Sequence, residues 1–138
     1  MNILFFLKPK ATVSYLFSDF TVRQALEKME RVRYSIIPII DREGFYIGTI
    51  SEGDFLWNIK AQEDFSVKKA EEMKIADIKV NRSYKAININ QDVEDLISLA
   101  LDQNFVPVVD DRGFFIGIVT RKDIIEQFLK ANVELNDL

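Results

Sequence analysis

The chain of 138 residues contains no cysteine and no histidine. Without cysteine there is no disulfide bond and no thiol nucleophile, and without histidine the commonest general base of enzymes is missing. Because zinc sites are built mainly from these two residue types, nearly every zinc site is excluded as well. No credible catalytic constellation remains, so the sequence predicts a protein that is not an enzyme and that holds no metal.

Long hydrophobic runs are also missing, since even Ile36–Ile40 is far too short to cross a bilayer. The apolar residues 2–7 lack the basic region and the cleavage site of a signal peptide. A net charge of −4 disfavours a broad nucleic-acid-binding surface. We therefore expect a cytoplasmic protein that binds neither membranes nor nucleic acids.

An internal repeat is the main feature that the sequence does contain. Residues 36–57 recur, with substitutions, at residues 105–126, a constant 69 positions later. Several of the identical pairs are not ordinary core residues: Pro38 and Pro107, Asp41 and Asp110, Gly44 and Gly113, Gly48 and Gly117, and Asp54 and Asp123. A repeat of two units predicts a pseudo-symmetric body with a groove between its halves.

Each copy has the pattern helix, strand, turn, strand, helix. In the first copy, Thr21 and Gln24 have the spacing of a capping box and precede apolar residues at helical intervals. Strands are predicted over residues 35–40 and 45–50, joined by a turn with aspartate first and glycine last. A further helix is predicted to begin near Ser51.

In the second copy, Asp92 is predicted to cap a helix, and strands are predicted over residues 105–109 and 114–119. This copy is two residues shorter between its first helix and the proline of the following strand, so we expect a shorter connection and two grooves that differ. The predicted domain boundaries are residues 1–60 for the first repeat with its lead-in, 61–74 for a helical linker, 75–131 for the second repeat and 132–138 for a frayed tail.

Two short motifs carry the chemistry of the repeat. Ser51 with Asp54, and Thr120 with Asp123, have the form of helix N-caps, and a single motif of this kind is more often only a cap. A glycine three residues before each hydroxyl allows close backbone approach, and the whole unit occurs twice. A helix N-terminus binds phosphate, and a carboxylate in its first turn can accept two bonds from a ribose diol.

The chain resembles the CBS-domain family, and specifically the tandem pair of CBS domains called a Bateman module. The resemblance rests on the hydrophobic-Pro-hydrophobic-hydrophobic-Asp strands at residues 37–41 and 106–110 and on the two Gly-x-x-Ser/Thr-x-x-Asp motifs, and it covers about residues 8–130. It implies an α+β fold in which two β-α-β-β-α repeats pack through their sheets with pseudo-twofold symmetry. In that family the clefts commonly bind adenosine compounds, and the motif aspartate typically holds the ribose hydroxyls.

Carried over by position, the resemblance implies two clefts. We prefer the cleft of the second motif, because Arg121 and Lys122 add positive charge beside a helix N-terminus and phosphate needs such compensation. Glu52 and Gly53, at the equivalent positions of the first motif, add none. The residues of the preferred cleft would be Thr120, Asp123, Arg121, Lys122, Lys10, Thr12, Val13, Ser35, Ile36 and Pro38. The residues of the second cleft would be Ser51, Asp54, Tyr84, Lys85, Ala86, Asn104 and Phe105.

The resemblance implies a sensor that requires no cofactor, binds AMP, ADP, ATP, S-adenosylmethionine or cyclic di-adenylate as a regulatory ligand, and signals to an unknown effector protein. Family members often pair into homodimers, and the apolar residues of the helices at 51–59 and 124–129 predict such a dimer face. The alternative is a ligand-free dimerisation or scaffold module with vestigial clefts. The lack of a basic residue before Pro38 favours this alternative, whereas the persistence of both motif carboxylates disfavours it.

Overall fold

The structure, a computed structural model, describes the backbone of residues 2–136 and the side chains of residues 2–132. In chain order the strands are β1 (Lys8–Pro9), β2 (Leu16–Phe17), β3 (Ile36–Ile40), β4 (Tyr46–Ser51), β5 (Ile87–Asn88), β6 (Phe105–Val109) and β7 (Phe115–Thr120). The α-helices are α1 (Val22–Val32), α2 (Glu52–Lys60), α3 (Val67–Glu72), α4 (Val93–Ala100) and α5 (Arg121–Asn136), and short 3-10 helices cover Ile3–Phe6, Lys10–Thr12 and Ile75–Asp77. This order confirms the predicted α+β fold with two β-α-β-β-α repeats.

Contacts divide these elements into two compact units. The first unit is Ser14–Ser83, and the second combines the residues up to Val13 with those from Tyr84 onwards. The division expected from the sequence differs, because it placed residues 1–13 with the first repeat and residues 75–83 with the second. The physical reason is strand pairing, since β1 joins the sheet of β5, β6 and β7.

The first unit contains a three-stranded sheet in the order β2-β3-β4, in which β2 runs parallel and β4 antiparallel to β3. Ile37 and Ile50 face each other across β3 and β4 and are almost fully buried, together with Phe55 of α2. α1 begins at the predicted capping box, with Thr21 accepting a bond from the Gln24 amide. The predicted linker helix is present as the six-residue α3, which packs against α1.

The second unit contains a four-stranded sheet in the order β1-β7-β6-β5. β5 runs parallel to β6, and β7 runs antiparallel to both of its neighbours. Ile3 and Phe6, from the beginning of the chain, are buried in one core with Leu96, Val106 and Val119. The lead-in therefore supplies this unit with an edge strand and with two core side chains.

Equivalent turns join the central strands of the two sheets. Asp41 Oδ1 accepts hydrogen bonds from the amides of Glu43, Gly44 and Phe45, and Gly44 has the positive φ of 103° that the turn requires. Asp110 makes the same kind of turn in the second unit. Burial raises the pKa of the Asp110 carboxyl, but the hydrogen bonds from the Phe114 and Arg112 amides, together with the Arg112 guanidinium, outweigh burial and leave this pKa lowered.

In each sheet a glycine lies against a segment from another part of the same unit, near Lys8 in one case and near Ser83 in the other. At Gly117, where φ is 154°, a Cβ would overlap the carbonyl oxygen of Lys8 in β1. At Gly48, a Cβ would overlap the hydroxyl of Ser83, which accepts a hydrogen bond from the Thr49 amide at 3.0 Å. The predicted close approach at both glycines is therefore made by another part of the same chain.

One local prediction is wrong, because the second copy is shorter in its helix and not in the connection: α1 has 11 residues and α4 has 8. Residues 132–136 continue the backbone of α5, and residues 137–138 lie outside the described residues, so the frayed tail stays a prediction. Asp92 occupies the predicted N-cap position of α4, although its side chain makes no capping bond. Within residues 2–136, no helix is long and apolar enough to span a membrane.

Replacing Gly117 with alanine should lower the free energy of unfolding by about 2–4 kcal/mol, because the new Cβ meets a backbone carbonyl that is fixed by the pairing of β1 with β7. Gly48→Ala should cost about 1 kcal/mol, because the serine hydroxyl can rotate away with the loss of one hydrogen bond. Urea unfolding measures both values. Gly53→Ala is the control, since its Cβ makes only ordinary contacts in the first turn of α2. Equal losses at positions 48 and 117 would contradict this account.

Candidate functional site

Each motif lies where the last strand of a repeat passes directly into a helix, β4 into α2 and β7 into α5. Ser51 Oγ accepts a hydrogen bond from the Asp54 amide at 3.1 Å. Thr120 Oγ1 accepts the equivalent bond from the Asp123 amide, also at 3.1 Å. Because both hydroxyls act as helix caps in the same way, the two motifs differ mainly in the surroundings of their carboxylates.

The Asp54 carboxylate is buried and bonded to the backbone through both oxygens. The residue is 5% exposed. Oδ2 accepts a hydrogen bond from the Ser51 amide at 2.9 Å, and Oδ1 accepts one from the Asn81 amide at 3.0 Å. Asp54 thus ties the start of α2 to the segment that follows Lys79, and little of its surface is open to a ligand.

The Asp123 carboxylate is more accessible, since 25% of its side chain is exposed. Lys8 Nζ, from the lead-in strand β1, lies 3.5 Å from Asp123 Oδ2. A carboxylate has about four lone-pair positions, and an ammonium on a flexible stem can share or leave them. Asp123 can therefore accept hydrogen bonds from a ligand, whereas Asp54 already gives both oxygens to the backbone.

The lead-in residues predicted for the preferred cleft lie beside β7 in the second unit. β1 pairs with β7, and the short 3-10 helix Lys10–Thr12 also contacts this strand. Thr12 Oγ1 donates a hydrogen bond to the Pro9 carbonyl at 2.9 Å, and the Val13 amide donates one to the Lys10 carbonyl at 3.3 Å. The fold therefore brings Lys10, Thr12 and Val13 to the strand that ends at Thr120.

Arg121 and Lys122 both contact residues outside the motif. Arg121 Nε donates to the Ala100 carbonyl at 2.7 Å and Nη2 donates to the Leu101 carbonyl at 3.3 Å, so the guanidinium caps the end of α4. Lys122 is 82% exposed at its side chain and lies 3.9 Å from Glu126. Their role as phosphate ligands stays a prediction.

Ser35, Ile36 and Pro38 lie at the start of β3 in the first unit. The Ser35 carbonyl accepts a hydrogen bond from the Glu52 amide at 2.9 Å, and Ile36 pairs with Ser51 across β3 and β4. Within this unit these residues are therefore held beside the first motif. Their contribution to the preferred cleft stays a prediction from the resemblance.

The second cleft was predicted from residues of both repeats. Ser51 and Asp54 lie in the first unit, and the residues of the second unit are Tyr84, Lys85, Ala86, Asn104 and Phe105. Tyr84 Oη accepts a hydrogen bond from the Asn104 amide at 3.2 Å, and its ring meets the Phe105 ring edge-on with centroids 5.0 Å apart. The structure thus brings these second-unit residues together, and a shared ligand site stays a prediction.

Gln103 is a positioning residue that reasoning from the sequence missed. It is 3% exposed, and its amide group exchanges hydrogen bonds with the backbone of Lys85 at 2.9 and 3.0 Å. At the equivalent position, 69 residues earlier, Tyr34 Oη accepts a bond from the Ser14 amide at 3.4 Å. Alignment of the two repeats could have identified Gln103, because a residue with a polar group stands two positions before the central strand in both copies.

The segment before Tyr84 was also missed. The Asn81 amide donates a hydrogen bond to the Asp54 carboxylate, and the Ser83 hydroxyl accepts one from the Thr49 amide. Burial raises the pKa of Tyr46 in β4, and a hydrogen bond with Ser83 acts in the opposite direction. Burial is the larger of the two effects, so the pKa of Tyr46 is raised and its hydroxyl is a neutral hydrogen-bond partner, as an ordinary tyrosine hydroxyl also is at neutral pH.

The sequence pattern of the CBS domain matches the chain twice, at residues 9–61 and 75–130. The two matches include both motifs and most of the described elements. The chain therefore belongs to the CBS-domain family, as the repeated motif predicted. More particularly, it contains a tandem pair of CBS domains.

Proteins of very different length share this pair. Inosine-5'-monophosphate dehydrogenase of Methanocaldococcus jannaschii is 31% identical over 125 residues, which cover 88% of this chain and 22% of that protein. An uncharacterized protein of Methanopyrus kandleri is 31% identical over 113 residues, which cover 78% and 54%. The A-adding tRNA nucleotidyltransferase of Aquifex aeolicus is 29% identical over 117 residues, which cover 83% and 13%. The chain spans about half of these relatives or less, so the similarity concerns the CBS pair alone.

Solved structures of CBS-domain proteins have the same fold. A crystal structure of CbpB in complex with c-di-AMP has a TM-score of 0.88 at 21% identity and covers 99% of this chain and 90% of that one. Listeria monocytogenes CbpB in complex with c-di-AMP has a TM-score of 0.78 at 25% identity, with 94% and 95% covered. CBSX2 in complex with AMP has a TM-score of 0.74 at 23% identity, with 95% and 98% covered. These similarities confirm the tandem CBS fold.

Asp54→Asn should lower the free energy of unfolding by about 2–3 kcal/mol, because a side-chain amide accepts through one oxygen only and leaves the Ser51 or Asn81 amide without its partner. Asp123→Asn, the same change at the equivalent position, should cost about 1 kcal/mol or less, because Asp123 is partly exposed and pairs with an exposed lysine. Urea unfolding of both variants measures the difference. A larger loss of unfolding free energy in Asp123→Asn than in Asp54→Asn would contradict the view that Asp54 is the structural carboxylate and Asp123 the accessible one.

Proposed function

We propose that the protein is a non-catalytic regulatory module that binds an adenosine-containing ligand, namely AMP, ADP, ATP, S-adenosylmethionine or cyclic di-adenylate, and signals its presence to a partner protein. The observation that carries this proposal is the accessible carboxylate of Asp123 in the first turn of a helix capped by Thr120. Such a carboxylate can accept hydrogen bonds from both hydroxyls of a ribose, and the helix N-terminus favours phosphate.

A relative supports the class of ligand. Listeria monocytogenes CbpB, which is 25% identical and matches 94% of this chain, was crystallised with c-di-AMP. That molecule consists of two adenosine nucleotides joined through their 3' and 5' oxygens, so each half presents a ribose with its 2' hydroxyl free and a phosphate. The same two groups are the ones that a carboxylate and a helix N-terminus can hold in this chain.

The difference between the two carboxylates favours a single working cleft. A ribose at Asp54 would have to reach a buried carboxylate whose two oxygens already hold backbone amides, and opening that site costs free energy. Asp123 needs only to share or release an exposed ammonium. We therefore place the ligand at Thr120 and Asp123, beside the lead-in residues Lys10 and Thr12.

An adenosine ligand at saturating concentration should raise the unfolding midpoint of the wild type by several degrees. At about a hundred times the dissociation constant, binding adds roughly 2.7 kcal/mol to the free energy of unfolding. Asp123→Asn should lose this ligand-induced shift, whereas Asp54→Asn should retain it relative to its own ligand-free midpoint. Thermal unfolding against AMP, ADP, ATP, S-adenosylmethionine and cyclic di-adenylate measures the shifts, with GMP as a control.

Two results would count against this proposal. If no adenosine compound moves the wild-type midpoint, the ligand-free scaffold becomes the better function. If Asp54→Asn loses the shift and Asp123→Asn keeps it, the ligand binds at the other motif.

Two equivalent apolar grooves support the scaffold alternative and also a homodimer. Leu26 and Leu56 line a groove between α1 and α2, and Ile97 and Ile125 line its counterpart between α4 and α5. Leu56 is 57% exposed and Ile125 is 51% exposed. Apolar surface of this kind, repeated on both units, fits a second copy of the chain that presents the same two grooves.

Ile125→Glu should convert a dimer into a monomer, because it places a charge in the apolar groove between α4 and α5. Size-exclusion chromatography with light scattering measures the mass. Leu101→Glu is the matched control, since Leu101 is 75% exposed and lies outside both grooves. A monomeric wild type, or loss of the dimer in the control alone, would contradict the assignment of this face.

The proposed function also requires a cellular compartment and a means of signalling. We propose that this sensor acts in the cytoplasm, where adenosine nucleotides are available to it. Ligand occupancy changes the behaviour of a protein only when the ligand binds one conformation better than another. We therefore propose that an effector protein recognises one of two such conformations.

A further inference from the structure

Lys8 lies beside the motif carboxylate although the two residues are far apart in the sequence. In β1 it pairs with Ile118 of β7, two residues before Thr120. Its ammonium lies 3.5 Å from Asp123 Oδ2, and 49% of its side chain is exposed. The pairing of two strands therefore holds an exposed positive charge at the place where a ribose would bind.

This ion pair is easy to rearrange. Solvent screens an exposed lysine and a partly exposed aspartate, so their pairing adds little to stability. A ribose diol at Asp123 would share the carboxylate with the ammonium or displace it. In either case the four-carbon stem keeps the ammonium close to the ribose and within reach of a substituent on its 5' carbon.

We propose that Lys8 determines which adenosine compounds this site accepts, by favouring those with a phosphate on the ribose over neutral adenosine and over S-adenosylmethionine. The inference rests on the proposed function and narrows its ligand class. An ammonium forms a charge-assisted hydrogen bond with phosphate. Adenosine offers it no anion. S-adenosylmethionine carries its carboxylate several bonds further out, whereas its sulfonium is attached to the 5' carbon itself, has the same sign of charge as the ammonium and is repelled.

The neighbouring cations of α5 are engaged elsewhere. The Arg121 guanidinium is bonded to the carbonyls of Ala100 and Leu101, at the end of another helix. Lys122 lies near Glu126 on an exposed face. Lys8 differs from both, because its partner is the same carboxylate that a ribose would use, so ribose binding itself makes the ammonium available to a phosphate.

Isothermal titration calorimetry of wild type and Lys8→Gln at one fixed ionic strength tests the inference with AMP, cyclic di-adenylate, adenosine and S-adenosylmethionine. Lys8→Gln should weaken the two phosphate-bearing ligands by about 5- to 20-fold. Adenosine should change by less than about 2-fold, and S-adenosylmethionine should bind more tightly. Lys8→Arg, which keeps the charge, should retain the preference for phosphate.

Lys130→Gln is the matched control, because it removes the same charge from an exposed position of α5, seven residues after Asp123. It should leave all four affinities unchanged. An equal loss in both glutamine variants would assign the effect to net charge and overturn the inference. If Lys8→Gln changes AMP and adenosine by the same factor, the inference fails while the proposed function stands. If the wild type binds none of the four compounds, both fail.

Discussion

The close contact between the backbone of Lys8 and Gly117 is the constraint on which much of the second unit depends. It pairs β1 with β7, and it brings Ile3 and Phe6 into the core of that unit. The same pairing places the Lys8 ammonium at the carboxylate of Asp123. One steric condition, the absence of a Cβ at Gly117 where the Lys8 carbonyl approaches, therefore supports both the packing of the unit and the electrostatics of its candidate site.

The two motifs are nearly the same in sequence, and the lead-in segments make them different. In the second unit the lead-in presents a lysine side chain, which leaves the Asp123 carboxylate partly open. In the first unit the corresponding space is taken by the segment around Ser83, and the Asn81 amide closes the Asp54 carboxylate. The character of each site is thus set by a segment outside the motif, so duplication of a motif does not by itself duplicate a binding site.

The features that could be predicted from the sequence are those made by neighbouring residues. The capping box of Thr21 and the turn closed by Asp41 depend on contacts within four positions, so their residue pattern identifies them. The pairing of β1 with β7 could not be predicted in the same way, because a two-residue strand carries no periodicity that selects its sheet. The carbonyls bonded to Arg121 were missed because they are distant in the sequence, at the end of a helix about 20 residues earlier.

The division of the chain into units has a consequence for folding. The first unit is continuous, from Ser14 to Ser83, and can form as soon as that stretch has left the ribosome. The second unit is discontinuous, and the segment that ends at Val13 has no sheet to join until β7 has been synthesised. Closing so long a loop costs conformational entropy and slows the step that depends on it. The segment up to Val13 is therefore synthesised before the first unit but reaches its final place after it.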